Sequence, residues 1–184
     1  MLDTDQILAR TGGRPIRRIV YTVDDIAQRV REMGEEIAGA YPPGEDLLLL
    51  GLLKGSFMFI SDLIRDIPRP AQVDFLVASS YGSGTTSSGT VRLLYDPEAN
   101  LAGRHVIIVE DIVDSGTTLN RLIPLLDARG PKSLEVCALL HKRIASNLVR
   151  EARWVGFDAP PEFLIGYGLD HSEDFRNLPF IASL

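Results

Sequence analysis

Three apolar runs constrain this chain more than anything else in it. Residues 47–53, broken only by Gly51, residues 106–109 and residues 134–140 show little of the alternation expected of a strand with one wet face. Each is far too short to cross a bilayer, which takes about 20 apolar residues as a helix. Runs of this length read instead as strands buried on both faces, the situation of a parallel sheet covered by helices on each side.

The intervening segments supply those helices. Thr22 with Asp25 three residues on resembles a capping box. Ile26, Val30, Met33 and Ile37 then recur at helical spacing until Pro42-Pro43-Gly44. Residues 56–67 read as a second helix, stopped by Pro68 and Pro70, and residues 117–128 as a third. Pro124 lies about two turns into that last helix, so a kink or an earlier end is expected. Residues 73–79 and 90–95 read as strands flanking the polar stretch from Gly82 to Gly89. Strands alternating with helices predict an α/β fold: a central, mainly parallel sheet flanked by helices. The last stretch, 163–184, is interrupted by Gly166, Gly168 and Pro179 and is too irregular for another strand–helix unit. It predicts a small C-terminal hood, drawn from about residue 153 onward, on one domain spanning 1–184.

Composition narrows the setting. A chain of 184 residues buries roughly 70% of its unfolded surface and needs no covalent staple. Nineteen basic against 25 acidic residues leave a net charge of −6, which argues against a protein that coats nucleic acid. The single Cys137 has no internal partner and suits a reducing compartment. Asp3 and Asp5 beside Met1 are unlike a signal peptide, so a cytoplasmic protein without a membrane segment is expected.

In a parallel sheet, ligands bind beyond the carboxyl ends of the strands. The densest chemistry follows residues 106–109: Glu110-Asp111-Ile112-Val113-Asp114-Ser115-Gly116-Thr117-Thr118. The Ser-Gly-Thr-Thr turn opening a helix offers main-chain N–H groups and three hydroxyls to an anion, and Gly116 lets the backbone approach it. Asp114, just before this cradle, stands where a base can act beside a bound phosphate. Glu110 and Asp111 can accept from sugar hydroxyls or reach Mg²⁺ through water. Helix capping alone explains one hydroxyl and one acid, not three acids at a strand end. No Gly-x-Gly-x-x-Gly joins a strand to a helix, and residues 84–90 lack the lysine of a nucleoside-triphosphate loop.

The 106–119 segment resembles the phosphoribosyl pyrophosphate motif of the type I phosphoribosyltransferases. Four further segments narrow the resemblance to the hypoxanthine-guanine (6-oxopurine) branch. They are Leu53-Lys54-Gly55-Ser56, Ser79-Ser80-Tyr81-Gly82, Lys142, and residues 163–170 with Phe175-Arg176-Asn177-Leu178-Pro179 behind them. The similarity runs from about Ile19 to Leu184. It implies transfer of phosphoribosyl from its pyrophosphate to N9 of hypoxanthine or guanine, giving IMP or GMP and pyrophosphate, with Mg²⁺. It further implies roles by position. Residues 114–118 would hold the 5′-phosphate, Glu110 and Asp111 the ribose hydroxyls, and Asp114 would assist loss of the purine N7 proton. Lys54, Gly55 and Arg176 would bind pyrophosphate, with the peptide before Lys54 often cis. Lys142 would donate to the 6-oxo oxygen, Phe163 would stack on the purine, and carbonyls near Leu164 and Asp170 would read its edge. Asp170, with Glu110 and Asp111, would hold Mg²⁺. Ser80 and Tyr81 would lead a loop that closes over the reacting carbon, an arrangement that keeps water from it. The implied partners are these small molecules and further copies of the chain in a homodimer or homotetramer, not nucleic acid or membrane.

A regulator that senses phosphoribosyl pyrophosphate and binds nucleic acid would keep the 110–118 motif too. Lys142, Phe163 and Asp170 together, and the acidic charge, favour the enzyme, while preference for xanthine stays open. His105, His141 and His171 lack metal-ligand spacing and are read as incidental. Ser56 stands where relatives often carry a second glycine, and His141 where they vary. Arg14, Arg17 and Arg18 read as a solvated edge or subunit contact.

Overall fold

The structure, a computed structural model, describes residues 4–80, 91–144 and 147–184. In chain order its elements are α1 (Thr4–Thr11), β1 (Arg18–Tyr21), α2 (Val23–Gly39), β2 (Leu47–Leu53), α3 (Phe57–Arg65), β3 (Gln72–Ser80) and β4 (Val91–Tyr95). They continue with β5 (His105–Val113), α4 (Thr117–Asp127), β6 (Ser133–His141), β7 (Trp154–Asp158), β8 (Leu164–Ile165) and β9 (Ile181–Ser183).

Local rules set the helices. Thr22 and Asp25 form the expected capping box: the Asp25 N–H donates to the Thr22 hydroxyl at 3.2 Å, and the Thr22 N–H to the Asp25 carboxylate at 2.9 Å. The apolar stripe Ile26, Val30, Met33 and Ile37 is fully buried. α4 runs through Pro124 to Asp127, close to the length expected. Pro124 is exposed and begins the final turn, so the hydrogen bond that it cannot donate is lost on the wet side.

The central sheet has the order β4-β3-β2-β5-β6-β7, parallel throughout except for β4 against β3. Burial on both faces explains its apolar strands. Leu47, Leu49, Ile107, Val109 and Leu139 pack toward α2 and α3, whereas Leu48, Leu50, Val106, Ile108 and Ala138 pack toward α4. Each fully buried leucine contributes about 1.5–3 kcal/mol relative to exposure, so both layers are needed to hold the sheet.

A second sheet, β1-β9-β8, forms the hood over its own small core of Ile165, Phe175, Leu178, Phe180 and Ala182. Two details differ from the sequence reading. Trp154–Asp158, at the start of the stretch expected in the hood, is the edge strand of the main sheet. Arg18–Tyr21, near the other end of the chain, pairs antiparallel with β9 and belongs to the hood. The arginines beside it have intramolecular partners: Arg14 bonds Asp174 at 2.8 Å and covers the Phe175 ring, and Arg18 bonds Glu162 at 2.7 Å. Among the described residues no helix is long and apolar enough to cross a membrane.

Candidate active site

β2, β5 and β6 are neighbours, so the residues following each meet at one end of the sheet: Lys54 and Gly55 after β2, Asp114 after β5, Lys142 after β6. β5 continues four residues past the apolar run. Glu110 and Asp111 are therefore strand residues, not the start of a turn. Register explains the extension, because β6 keeps pairing beside it from His105↔Ser133 to Val113↔His141.

That position desolvates both acids. Burial, reinforced by the neighbouring Asp111 charge, holds Glu110 well above the usual carboxylate range. Burial pushes Asp111 up to about 6, against the N–H bond it receives from Ile112 at 2.8 Å. The Asp111 carboxylate lies directly on Gly55, where a side chain would overlap it. Gly168 in turn lies on the Gly55 carbonyl with no room for a Cβ. Strand end, Lys54 loop and hood thus stack through two glycines.

The shifted Asp111 has a stability consequence of defined sign. Asp111 keeps its proton up to about pH 6 when folded and only to about pH 4 when unfolded. Its contribution is present below pH 4 and lost as pH rises through 6, a cost of about 2–3 kcal/mol at neutral pH. Asp111→Asn accepts the same Ile112 bond without a charge. In thermal unfolding of the ligand-free protein it is expected to raise Tm by about 5–10 °C at pH 7.5 and to change it little at pH 4. An equal shift at both pH values would sink this explanation.

Gly116, at φ 76, turns the chain from β5 into α4, an angle that strains any other side chain. Ser115 Oγ and Thr117 Oγ1 share a hydrogen bond at 2.9 Å, and Asn120 is the first residue of α4 whose N–H bonds back, to the Gly116 carbonyl. The earlier N–H groups of the helix have no intrahelical acceptor. They border a cavity of about 80 Å³ lined by residues 110 and 112–119.

Two ion-pair groups face this end of the sheet. Lys142 Nζ donates to Asp114 Oδ2 at 2.8 Å. Across the site, Arg176 Nη2 pairs with Asp170 at 2.8 Å and with Glu173 at 3.3 Å, while Lys54 Nζ reaches the same Glu173 oxygen at 3.0 Å. Arg176 Nη1 also donates to the Gly168 carbonyl at 2.8 Å, and the Glu173 N–H caps Asp170 at 2.9 Å. Phe163 is 55% exposed, meeting His171 edge-on at 5.3 Å, and Leu164 is buried in β8. The Leu53–Lys54 peptide is cis. Tyr81 and residues 82–90 lie outside the described residues, and Ser80 ends β3.

Sequence reasoning missed Glu173, the shared anion of Lys54 and Arg176. The run Asp170, Glu173, Arg176 at intervals of three was the available signal. It also missed the buried Tyr167, whose hydroxyl donates to Asp62 Oδ2 at 2.5 Å and ties the hood turn to α3. Nothing local marked that pair.

The carboxylates present suit a cation shared with phosphate oxygens. Among the described residues no three acid, histidine or cysteine side chains converge as a metal cage. Glu110 and Asp111 are instead desolvated carboxyl groups whose charged forms burial disfavours, and Asp170 pairs with the Arg176 cation. Mg²⁺ is commonly held in this way, through one or two carboxylates plus substrate phosphates.

Residues 19–172 match the family model described as phosphoribosyl transferase domain. A hypoxanthine-guanine phosphoribosyltransferase of Mycobacterium tuberculosis is 47% identical over 174 residues, covering 92% of this chain and 86% of its own length. A hypoxanthine phosphoribosyltransferase of Salmonella typhimurium is 42% identical over 161 residues, covering 87% and 90%. Among solved structures, a hypoxanthine phosphoribosyltransferase from Staphylococcus aureus superposes with a TM-score of 0.89 at 37% identity, over 99% of this chain and 96% of that one.

Proposed function

The chain belongs to the phosphoribosyltransferase family, and from that membership we propose that it is a purine-salvage enzyme forming IMP or GMP from hypoxanthine or guanine and phosphoribosyl pyrophosphate. The observation that carries this reading is the Lys142–Asp114 pair, donor beside acceptor at 2.8 Å. A 6-oxopurine presents the matching edge, with an oxygen acceptor at position 6 next to an N7 that can carry a proton. Adenine presents an amino donor there, which faces the lysine and leaves it unpaired, a mismatch that costs several kcal/mol in a desolvated site.

The chemistry divides among the residues as follows. The N–H groups and hydroxyls of Ser115, Gly116, Thr117 and Thr118 bind the 5′-phosphate, and Glu110 with Asp111 take the ribose hydroxyls. Lys54, the Gly55 main chain and Arg176 bind pyrophosphate once Glu173 gives up the two cations. Lys142 turns to the purine oxygen, which frees Asp114 to accept the N7 proton. N9 then bonds to the ribosyl carbon as the carbon–oxygen bond to pyrophosphate breaks, leaving a neutral purine. Phe163 stacks on the ring, and the Leu164 and Asp170 carbonyls read its far edge. Mg²⁺, held by Asp170 and reached by Glu110 and Asp111, would neutralise charge on the departing pyrophosphate. The partners are these small molecules and other copies of the chain, as a homodimer or homotetramer. A cytoplasmic setting belongs to the same reading, supported by the unpaired Cys137.

Pyrophosphate release from phosphoribosyl pyrophosphate and Mg²⁺, followed in parallel with hypoxanthine, guanine, xanthine and adenine, tests the proposal. Turnover is expected on hypoxanthine and guanine and at background on adenine. Turnover on adenine, or on no base while phosphoribosyl pyrophosphate still binds, would overturn it.

A further inference from the structure

β6 ends at His141, whose residue is 2% exposed. Strands on both sides hold its backbone: it is the register partner of Val113 in β5, and its carbonyl accepts from the Ala159 N–H at 2.8 Å, just beyond β7. The next residue is equally fixed, the Lys142 N–H donating to the Val113 carbonyl at 2.9 Å. Among the described residues the imidazole makes one hydrogen bond, in which Nδ1 accepts from the Arg143 N–H at 2.8 Å. A main-chain N–H only donates, so Nδ1 carries no proton and the ring's hydrogen is on Nε2. Among the described residues Nε2 has no hydrogen-bond partner, and the Glu151 oxygen lies 4.0 Å away. Burial, and then the positive charge of Arg143, hold the imidazole below its usual range, which keeps it a neutral acceptor.

The residue it bonds needs holding. Arg143 sits at φ 55, in the left-handed region that a bulky side chain leaves unless something restrains it. The Nδ1 bond closes the turn around Lys142 from one side as the Val113 carbonyl does from the other. Core packing alone gives no reason for an imidazole here, since leucine fills the same volume and brings no polar atom that needs a partner.

On the transferase reading above, we propose that His141 is a positioning residue for the purine: its Nδ1 fixes the Lys142–Arg143 turn so that Lys142 Nζ is presented to the 6-oxo oxygen beside Asp114. It touches no substrate. It acts only through the backbone of the turn.

Steady-state kinetics of His141→Leu and His141→Asn, varying hypoxanthine and phosphoribosyl pyrophosphate separately, test this. Leucine keeps the volume and removes the acceptor, whereas the asparagine amide oxygen stands close to the place of Nδ1. The leucine variant is expected to raise the hypoxanthine KM about three- to tenfold, the worth of one net hydrogen bond, while the phosphoribosyl pyrophosphate KM moves less than about twofold. The asparagine variant is expected to recover most of that loss. An unmoved hypoxanthine KM in the leucine variant, an equal rise in both KM values, or an asparagine variant no better than leucine would each overturn the proposal. Nitrogen-15 spectra of the unsubstituted protein provide a readout independent of both variants. The Nε2–H tautomer of His141 is expected at neutral pH, and the Nδ1–H tautomer would exclude the bond. Absence of wild-type turnover on any purine counts against the transferase reading itself. Normal wild-type turnover with an unaffected leucine variant counts against His141 alone.

Discussion

The Asp114→Asn protein is expected to turn over hypoxanthine about 10²–10⁴-fold more slowly than wild type, the usual contribution of one positioned general base. The substitution preserves size and polarity. It removes the one property that the reaction needs from this side chain, the capacity to take a proton. Asp114 follows β5 directly and its carboxylate is about half exposed, so the structural cost of the change is small and the fold survives. The proposed 5′-phosphate cradle is built from main-chain N–H groups and hydroxyls that follow it, and the KM for phosphoribosyl pyrophosphate should move little. The loss therefore falls on kcat, and single-turnover measurement of nucleotide formation locates it in the chemical step. Near-normal turnover by the asparagine variant would mean that the N7 proton leaves by another route.

Lys142→Ala comes next in size. Charged hydrogen bonds contribute about 1.5–3 kcal/mol each, so removal of the ammonium should lower kcat/KM for hypoxanthine and guanine by about 10–10²-fold. Phosphoribosyl pyrophosphate binding, which the proposed mechanism gives to Lys54, Arg176 and the 115–118 turn, should be nearly unchanged. Arg143 cannot substitute, because it is drawn away to Asp158 at 2.6 Å. The discrimination against adenine should also shrink, since the donor facing its amino group is gone. Isothermal titration of each substrate with the alanine variant separates the effects. An equal loss for purine and phosphoribosyl pyrophosphate would remove Lys142 from the base-reading role.

Both predictions rest on residues that were legible before any fold was known, and for a physical reason. A parallel strand buried on both faces must be apolar throughout, and ligands bind at its carboxyl end. The polar residues after residues 47–53, 106–109 and 134–140 were therefore marked by their place in the chain. The capping box at Thr22 and Asp25 was legible on the same footing, because its hydrogen bonds span three residues. Where the reading went astray, a distant partner decided. The strand holding Glu110 and Asp111 runs to Val113 because β6 pairs alongside it, and no rule internal to residues 105–113 fixes where that pairing stops.

By itself the sequence determined the three buried strands and the two flanking the polar stretch, the three helices between them, that helices cover both faces of the sheet, and which residue types gather around a phosphate. These follow from propensity, periodicity and burial acting over a few neighbouring residues. Only the tertiary structure decided that β1 joins the hood, that Gly55 carries Asp111 on one side and Gly168 on the other, and that His141 braces the turn of Lys142. It also decided that Lys54 meets Glu173, 119 residues further along the chain. Contacts of that kind depend on the register and packing of whole elements against one another, and the same local sequence is compatible with many registers until the rest of the chain closes around it.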